Sequence, residues 1–122
     1  MVRNNVISST EKFGVYVLKS RNICIQSNRI TQFTRGIHVD VGSSDIRISD
    51  NSLFSVFPKL SEHAIALEEG ANDCKVEGNH ISGIYKSAPI KDIGENNMAG
   101  NNNCNIFHSH LDEVVNINRY TK

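Results

Sequence analysis

Hydrophobic and polar positions alternate in short runs along this chain, and the runs recur. An apolar residue, two spacers, an Asn, one spacer and a second apolar residue occur four times: Val2-x-x-Asn5-x-Ile7, Ile25-x-x-Asn28-x-Ile30, Ile48-x-x-Asn51-x-Leu53 and Val76-x-x-Asn79-x-Ile81. The Asn positions are 23, 23 and 28 residues apart, a spacing of solenoid size. Just upstream lie Ile23-Cys24-Ile25, Ile46-Arg47-Ile48 and Cys74-Lys75-Val76. A period of two predicts strands. It sends the outer member of each triplet inward and turns Cys24, Arg47 and Lys75 to the opposite face.

A second strand is predicted downstream at Val15-Tyr16-Val17, Ile37-His38-Val39 and Ile65-Ala66-Leu67, with Ile90 opening a weaker fourth copy. Its Val, Ile and Leu face inward, while Tyr16, His38 and Ala66 face outward. A compact or conformationally restricted residue precedes each copy (Gly14, Gly36, Ala64, Pro89), as a bend requires. Gly42 and Gly70 fall at matching places suited to a left-handed turn. Phe33, Phe57 and Tyr85 recur five or six residues after the Asn of their copies, predicting an interior aromatic stack. The third copy is five residues longer. Its surplus lies between Leu53 and His63, where a protruding loop is expected.

The Asn phrase followed by Gly-apolar-x-apolar resembles the right-handed parallel β-helix of the pectate-lyase-like superfamily, over roughly Val2 to Gly94. The resemblance implies an all-β, single-stranded solenoid of about four to five coils. Coils of such a fold stack about 4.8 Å apart. Asn5, Asn28, Asn51 and Asn79 then form a ladder that holds the coil bend, each bond contributing about 1 kcal/mol net. Two regions are expected: coils over 1–94, and over 95–122 a degenerate last coil with a C-terminal cap or oligomer contact. Alternation breaks from Ile90 to Gly94, where a straight strand would turn Asp92 inward. Turn-forming residues crowd 95–105, and Val114, Val115 and Ile117 read as a closing strand.

Composition narrows the picture. The 122 residues hold 13 basic and 13 acidic side chains, so no net charge favours nucleic acid or an anionic membrane surface. No apolar run approaches the roughly 20 residues that span a bilayer, and the first residues lack the apolar stretch of a signal peptide. Three Cys without a C-x-x-C pair argue for free thiols. Fifteen Asn suit a chain rich in turns.

Candidate chemistry lies on the outward side of the second strand. Asp40 and Glu68 occupy equivalent places in consecutive coils, each one residue past the strand's apolar end. One rung of separation puts their carboxyls about 5 Å apart, near the spacing of retaining glycosidase pairs. Close like charges split carboxyl pKa values, as acid and base roles require. His38 joins them as a third catalytic candidate, and Tyr16, one coil below, is a hydroxyl or sugar-stacking platform. Arg47 and Lys75, on another outward wall, are candidate substrate-binding cations for a uronate carboxylate. Acidic residues beside a turn Gly are ordinarily solvated, and spaced cations ordinarily keep a surface soluble; both readings stand beside the catalytic one.

No metal and no cofactor is expected. Asp45, Asp50 and Asp73 are scattered over turns rather than clustered as for calcium, and His108 with His110 lacks a third ligand. His63 and His80 read as isolated surface residues. The Asp-Pro-His motif of the mannuronan epimerases is absent. The resemblance implies part of a polysaccharide-binding or polysaccharide-degrading protein of lyase, glycoside hydrolase or phage tailspike type. Its partners would be polysaccharide and either a homo-oligomer of trimer type or further coils of a longer helix, with no nucleic acid and no membrane. The alternative is a non-catalytic structural or protein-interaction solenoid. Replacing Asp40 and Glu68 with Ala separates the two.

Overall fold

The computed structural model describes residues 1–8, 12–56 and 61–106. Every strand pairing within them is parallel, and each strand pairs with its counterpart one repeat away. The chain winds as a parallel β-helix. Sheet A stacks Val2–Arg3, Cys24–Gln26, Arg47–Ser49, Lys75–Glu77 and Met98–Gly100 in that order. Sheet B, after the Asn, stacks Val6–Ser8, Arg29–Thr31, Ser52–Ser55, His80–Gly83 and Asn103–Ile106. Sheet C stacks Phe13–Val17, Arg35–Val39, His63–Leu67 and Ile90–Asp92. A short fourth sheet pairs Ser43–Ser44 with Ala71–Asn72.

Alternation fills the interior as the sequence predicts. Ile25, Ile48 and Val76 of sheet A stand in register, as do Ile37 and Ile65 of sheet C, all fully buried. Each such side chain contributes about 1.5–3 kcal/mol relative to exposure. Phe33 is buried, and its ring centroid lies 6.2 Å from that of half-buried Tyr85. Phe57, the third member expected in that stack, lies outside the described residues. So does part of the expected loop, but its base is visible. Ser55 and Ser61 are buried 2.6 Å apart, and both hydroxyls reach the Phe33 carbonyl.

The Asn column is continuous and gains a fifth member, Asn102. Asn51 Oδ1 accepts from the Asn28 main-chain N–H (2.9 Å) and from Asn28 Nδ2 (3.0 Å). Its own Nδ2 donates to Asn79 Oδ1 (3.0 Å) and to the Ile25 carbonyl (2.9 Å). Asn28 and Asn79 repeat this arrangement, so each buried amide uses both lone pairs and both hydrogens. The left-handed turn falls one residue earlier than the ladder. Asn4, Ser27, Asp50, Gly78 and Asn101 take φ of 60°, 58°, 55°, 72° and 55°. A second left-handed column runs through Asn22, Asp45, Asp73 and Asn96. Asn and Asp are the non-glycine residues that adopt this geometry most readily, and they fill all but two of these nine places.

At the far end, Asp92 stands in register with buried Leu67 yet is exposed. It accepts hydrogen bonds from Gly94 N–H (3.1 Å) and Asn97 Nδ2 (2.8 Å). Strands 98–100 and 103–106 continue sheets A and B above it. Val114, Val115 and Ile117 lie outside the described residues.

Candidate functional site

The bend before sheet C decides which side chains reach the outer wall. A Cβ on Gly14 would stand 2.6 Å from both Gly36 O and Ile30 Cγ2, and one on Gly36 would stand 2.5 Å from Leu53 Cδ2. Neither position tolerates a side chain. One coil up, the N–H groups of Ala64 and Ile65 both donate to the Pro89 carbonyl, at 2.8 and 3.1 Å. The Phe13 ring packs on two outward side chains of sheet C, its centroid 4.8 Å from Tyr16 and 4.7 Å from His38. Tyr16 and His38 stack nearly parallel, 5.5 Å apart at 8°. His38 and Ala66, expected outward, are indeed on the outer wall, but both are buried. Tyr16 is 44% exposed.

The charged groups surround His38. The Tyr16 hydroxyl donates to Asp40 Oδ2 at 2.7 Å, and the Val41 N–H donates to Asp40 Oδ1 at 2.7 Å. These two bonds hold the Asp40 carboxyl below its ordinary range, and the Tyr16 phenol is raised by the same bond. Burial lowers the His38 pKa, against the pull of Glu68 and Asp40, so the imidazole is neutral at pH 7. Its Nε2 lies 3.8 Å from Asp40 Oδ2 and its Nδ1 lies 3.7 Å from Glu68 Oε2. Both separations exceed a hydrogen bond. Glu68 Oε1 is held by Lys91 Nζ at 2.8 Å, and Arg35 pairs with Glu62 at 3.3 Å.

Asp40, Glu68, His38 and Tyr16 therefore come together as their spacing implied. The imidazole has one acid near each of its two nitrogens, beyond hydrogen-bonding distance, and each acid has a closer partner of its own. Three neighbours were not singled out from the sequence: Phe13, Arg35 and Lys91. A signal existed. Phe13 and Arg35 each precede the bend glycine, and Lys91 stands in register with Ala66. Arg47 and Lys75 are register partners on sheet A, away from this cluster, beside Asp45 and Asp73. His63 is a correction. It is buried rather than a surface residue, its Nδ1 2.7 Å from the Ala88 carbonyl, whereas His80 is exposed. His108 and His110 lie outside the described residues.

Among the described residues, three buried side-chain atoms lack a hydrogen-bond partner: Arg35 Nε, His38 Nδ1 and Glu68 Oε2. All three belong to residues lining one shallow depression on sheet C, with Asp40, Glu69 and Ile93. Buried polar groups are ordinarily paired, and each orphan costs about 1–3 kcal/mol.

Stacked parallel sheets with a polar cluster on one wall define a β-helix protein. The chain belongs to the right-handed beta helix region family, whose model matches residues 1–111. No curated protein and no solved structure gives a significant match.

Proposed function

We propose that this β-helix is a glycan-binding module and that the outer wall of sheet C is the surface on which polysaccharide lies. The observation that carries the reading is that Arg35, His38 and Glu68, each with one buried polar atom unpartnered, line a single depression. A sugar hydroxyl donates and accepts, so it can satisfy groups of both kinds. The Phe13–Tyr16–His38 stack beside them offers an aromatic face to a sugar ring.

Binding is favoured over cleavage by the electrostatics. Glycoside hydrolysis needs one carboxyl kept protonated by a raised pKa. Asp40 is shifted the other way, and Glu68 is ion-paired with Lys91. Affinity electrophoresis in gels cast with a panel of polysaccharides tests the proposal. Retardation of the native chain that is lost in Tyr16→Ala, with unfolding unchanged, is the expected result. Mobility unaffected by every polysaccharide would leave the wall as a structural or protein-docking surface instead.

A further inference from the structure

We infer that the sugar recognised on this wall is neutral, not a uronate, and that Glu68 and His38 read two neighbouring hydroxyls of one ring. The inference rests on the glycan-binding reading and adds the ligand's chemical class.

The first ground is charge. Arg35 and Lys91 are each matched by a carboxylate, Glu62 at 3.3 Å and Glu68 at 2.8 Å. Asp40 and Glu69 also line the depression, and neither forms an ion pair with Lys or Arg among the described residues. His38 adds no charge at neutral pH. An acidic sugar would therefore meet a wall with more carboxylates than cations. Arg47 and Lys75, which form no ion pair among the described residues, stand on sheet A instead.

The second ground is hydrogen-bond chemistry. Glu68 Oε2 can only accept and Arg35 Nε can only donate. His38 Nδ1 does one or the other according to its tautomer. A hydroxyl pair serves all of these cases, one oxygen donating to Glu68 and its neighbour facing His38 and Arg35. A ligand carboxylate has no hydrogen to give, so it would leave Glu68 Oε2 unmet and face it with like charge. The 3.7 Å between Nδ1 and Oε2 leaves no room for an intervening oxygen. Entry thus requires the Glu68 carboxylate to turn about its terminal torsion, a soft motion for this side chain. Exposed Tyr16 lies at the rim, where the ring of the sugar would rest.

The test uses the full chain with the imidazole of His38 followed by NMR. The probes are hexaoses of glucose, mannose and galactose, and hexamers of galacturonate and mannuronate. At least one neutral hexaose should shift the His38 ring signals, with both uronate hexamers bound about tenfold or more weakly. Glu68→Gln, which keeps the shape but adds a donor and removes the charge, should weaken the neutral ligand and narrow that gap. Uronates binding as tightly as neutral sugars would overturn the inference and leave the glycan-binding proposal intact. So would neutral binding that leaves His38 signals unmoved. Failure of all five probes, together with silence in the polysaccharide gels, would overturn both.

Discussion

Two groups of polar side chains in this helix, the Asn column and the cluster on the outer wall of sheet C, have their buried atoms treated in opposite ways. Along the Asn column, each interior amide spends both hydrogens and both lone pairs on the coils above and below. On the outer wall of sheet C, buried His38 and half-buried Arg35 and Glu68 each hold one buried polar atom without a hydrogen-bond partner. Low dielectric magnifies both situations: a satisfied network specifies one register, and an unsatisfied one is a debt. Regular repetition explains the first. Every coil brings the same residue to the same height, so donor always meets acceptor. The second arises where the repeat lapses, with Tyr16, His38, Ala66 and Lys91 standing one above another in a single column. Uniformity marks the scaffold and irregularity marks the site.

The sharpest way to break this contrast is at Asn51, fully buried at the centre of the ladder. Asn51→Leu removes four hydrogen bonds: it strands the Asn28 main-chain N–H, takes the amide donor from the Ile25 carbonyl, and leaves Asn28 Nδ2 with only the Val2 carbonyl and Asn79 Oδ1 with only the main-chain N–H of residue 51. Relaxation will rescue part of this, and a loss of about 4 kcal/mol is expected at roughly 1–3 kcal/mol per orphaned group. Urea unfolding measures it. A loss below 1 kcal/mol would show that the ladder is not a stabilising network.

Much of this molecule is legible in its residues, for a definite reason. The apolar-x-x-Asn-x-apolar phrase repeats because parallel stacking repeats it, and Ile25, Ile48 and Val76 meet in the register their spacing implies. Glu68 and Asp40 were found for the same reason, as equivalent points one rung apart. What could not be read was the position of the imidazole between them, because side-chain reach is not encoded in period. Nor did alternation place Phe13, which sits three residues before Tyr16 across the bend at Gly14 and yet packs on the same outer wall. His63 misled because an isolated polar residue gives no sign of its partner, here a backbone carbonyl 25 residues away.

His38 offers the complementary experiment, with a smaller effect. Its nitrogens lie beyond hydrogen-bonding distance of both carboxylates, and its ring packs on Phe13 and Tyr16. His38→Phe keeps an aromatic ring in the stack and deletes the polar atoms, so stability should change by about 1 kcal/mol or less. The pH profile should change more clearly. Burial lowers the native His38 pKa, with Arg35 and Lys91 acting in the same direction and Glu68 and Asp40 opposing it. Below the ordinary value of 6.5 the unfolded chain therefore binds this proton more readily than the folded one. The stabilisation from neutral His38 is complete above that value and is lost as pH falls through the native pKa. In the Phe variant this component of the slope should vanish. A slope unchanged by the substitution would mean that another group carries it.

The finest cut separates Asp40 from its hydroxyl. Tyr16→Phe leaves the ring beside His38 and removes only the 2.7 Å bond to Asp40 Oδ2. That bond is the first cause of the lowered Asp40 pKa, and the Val41 N–H is the second. The Asp40 carboxyl should therefore titrate closer to its ordinary value in the variant, without reaching it, because the backbone bond persists. The stabilisation that Asp40 provides is present above its unfolded pKa and is lost as pH falls through the native one. The variant should thus lose that stabilisation at a higher pH than the parent, in the acid range well below the window governed by His38. Carbon-detected titration of the Asp40 carboxyl resolves the shift directly. If the Asp40 titration stays where it was, the hydroxyl does not set the ionisation of this wall, and the site differs from the ladder only in its unpaired groups.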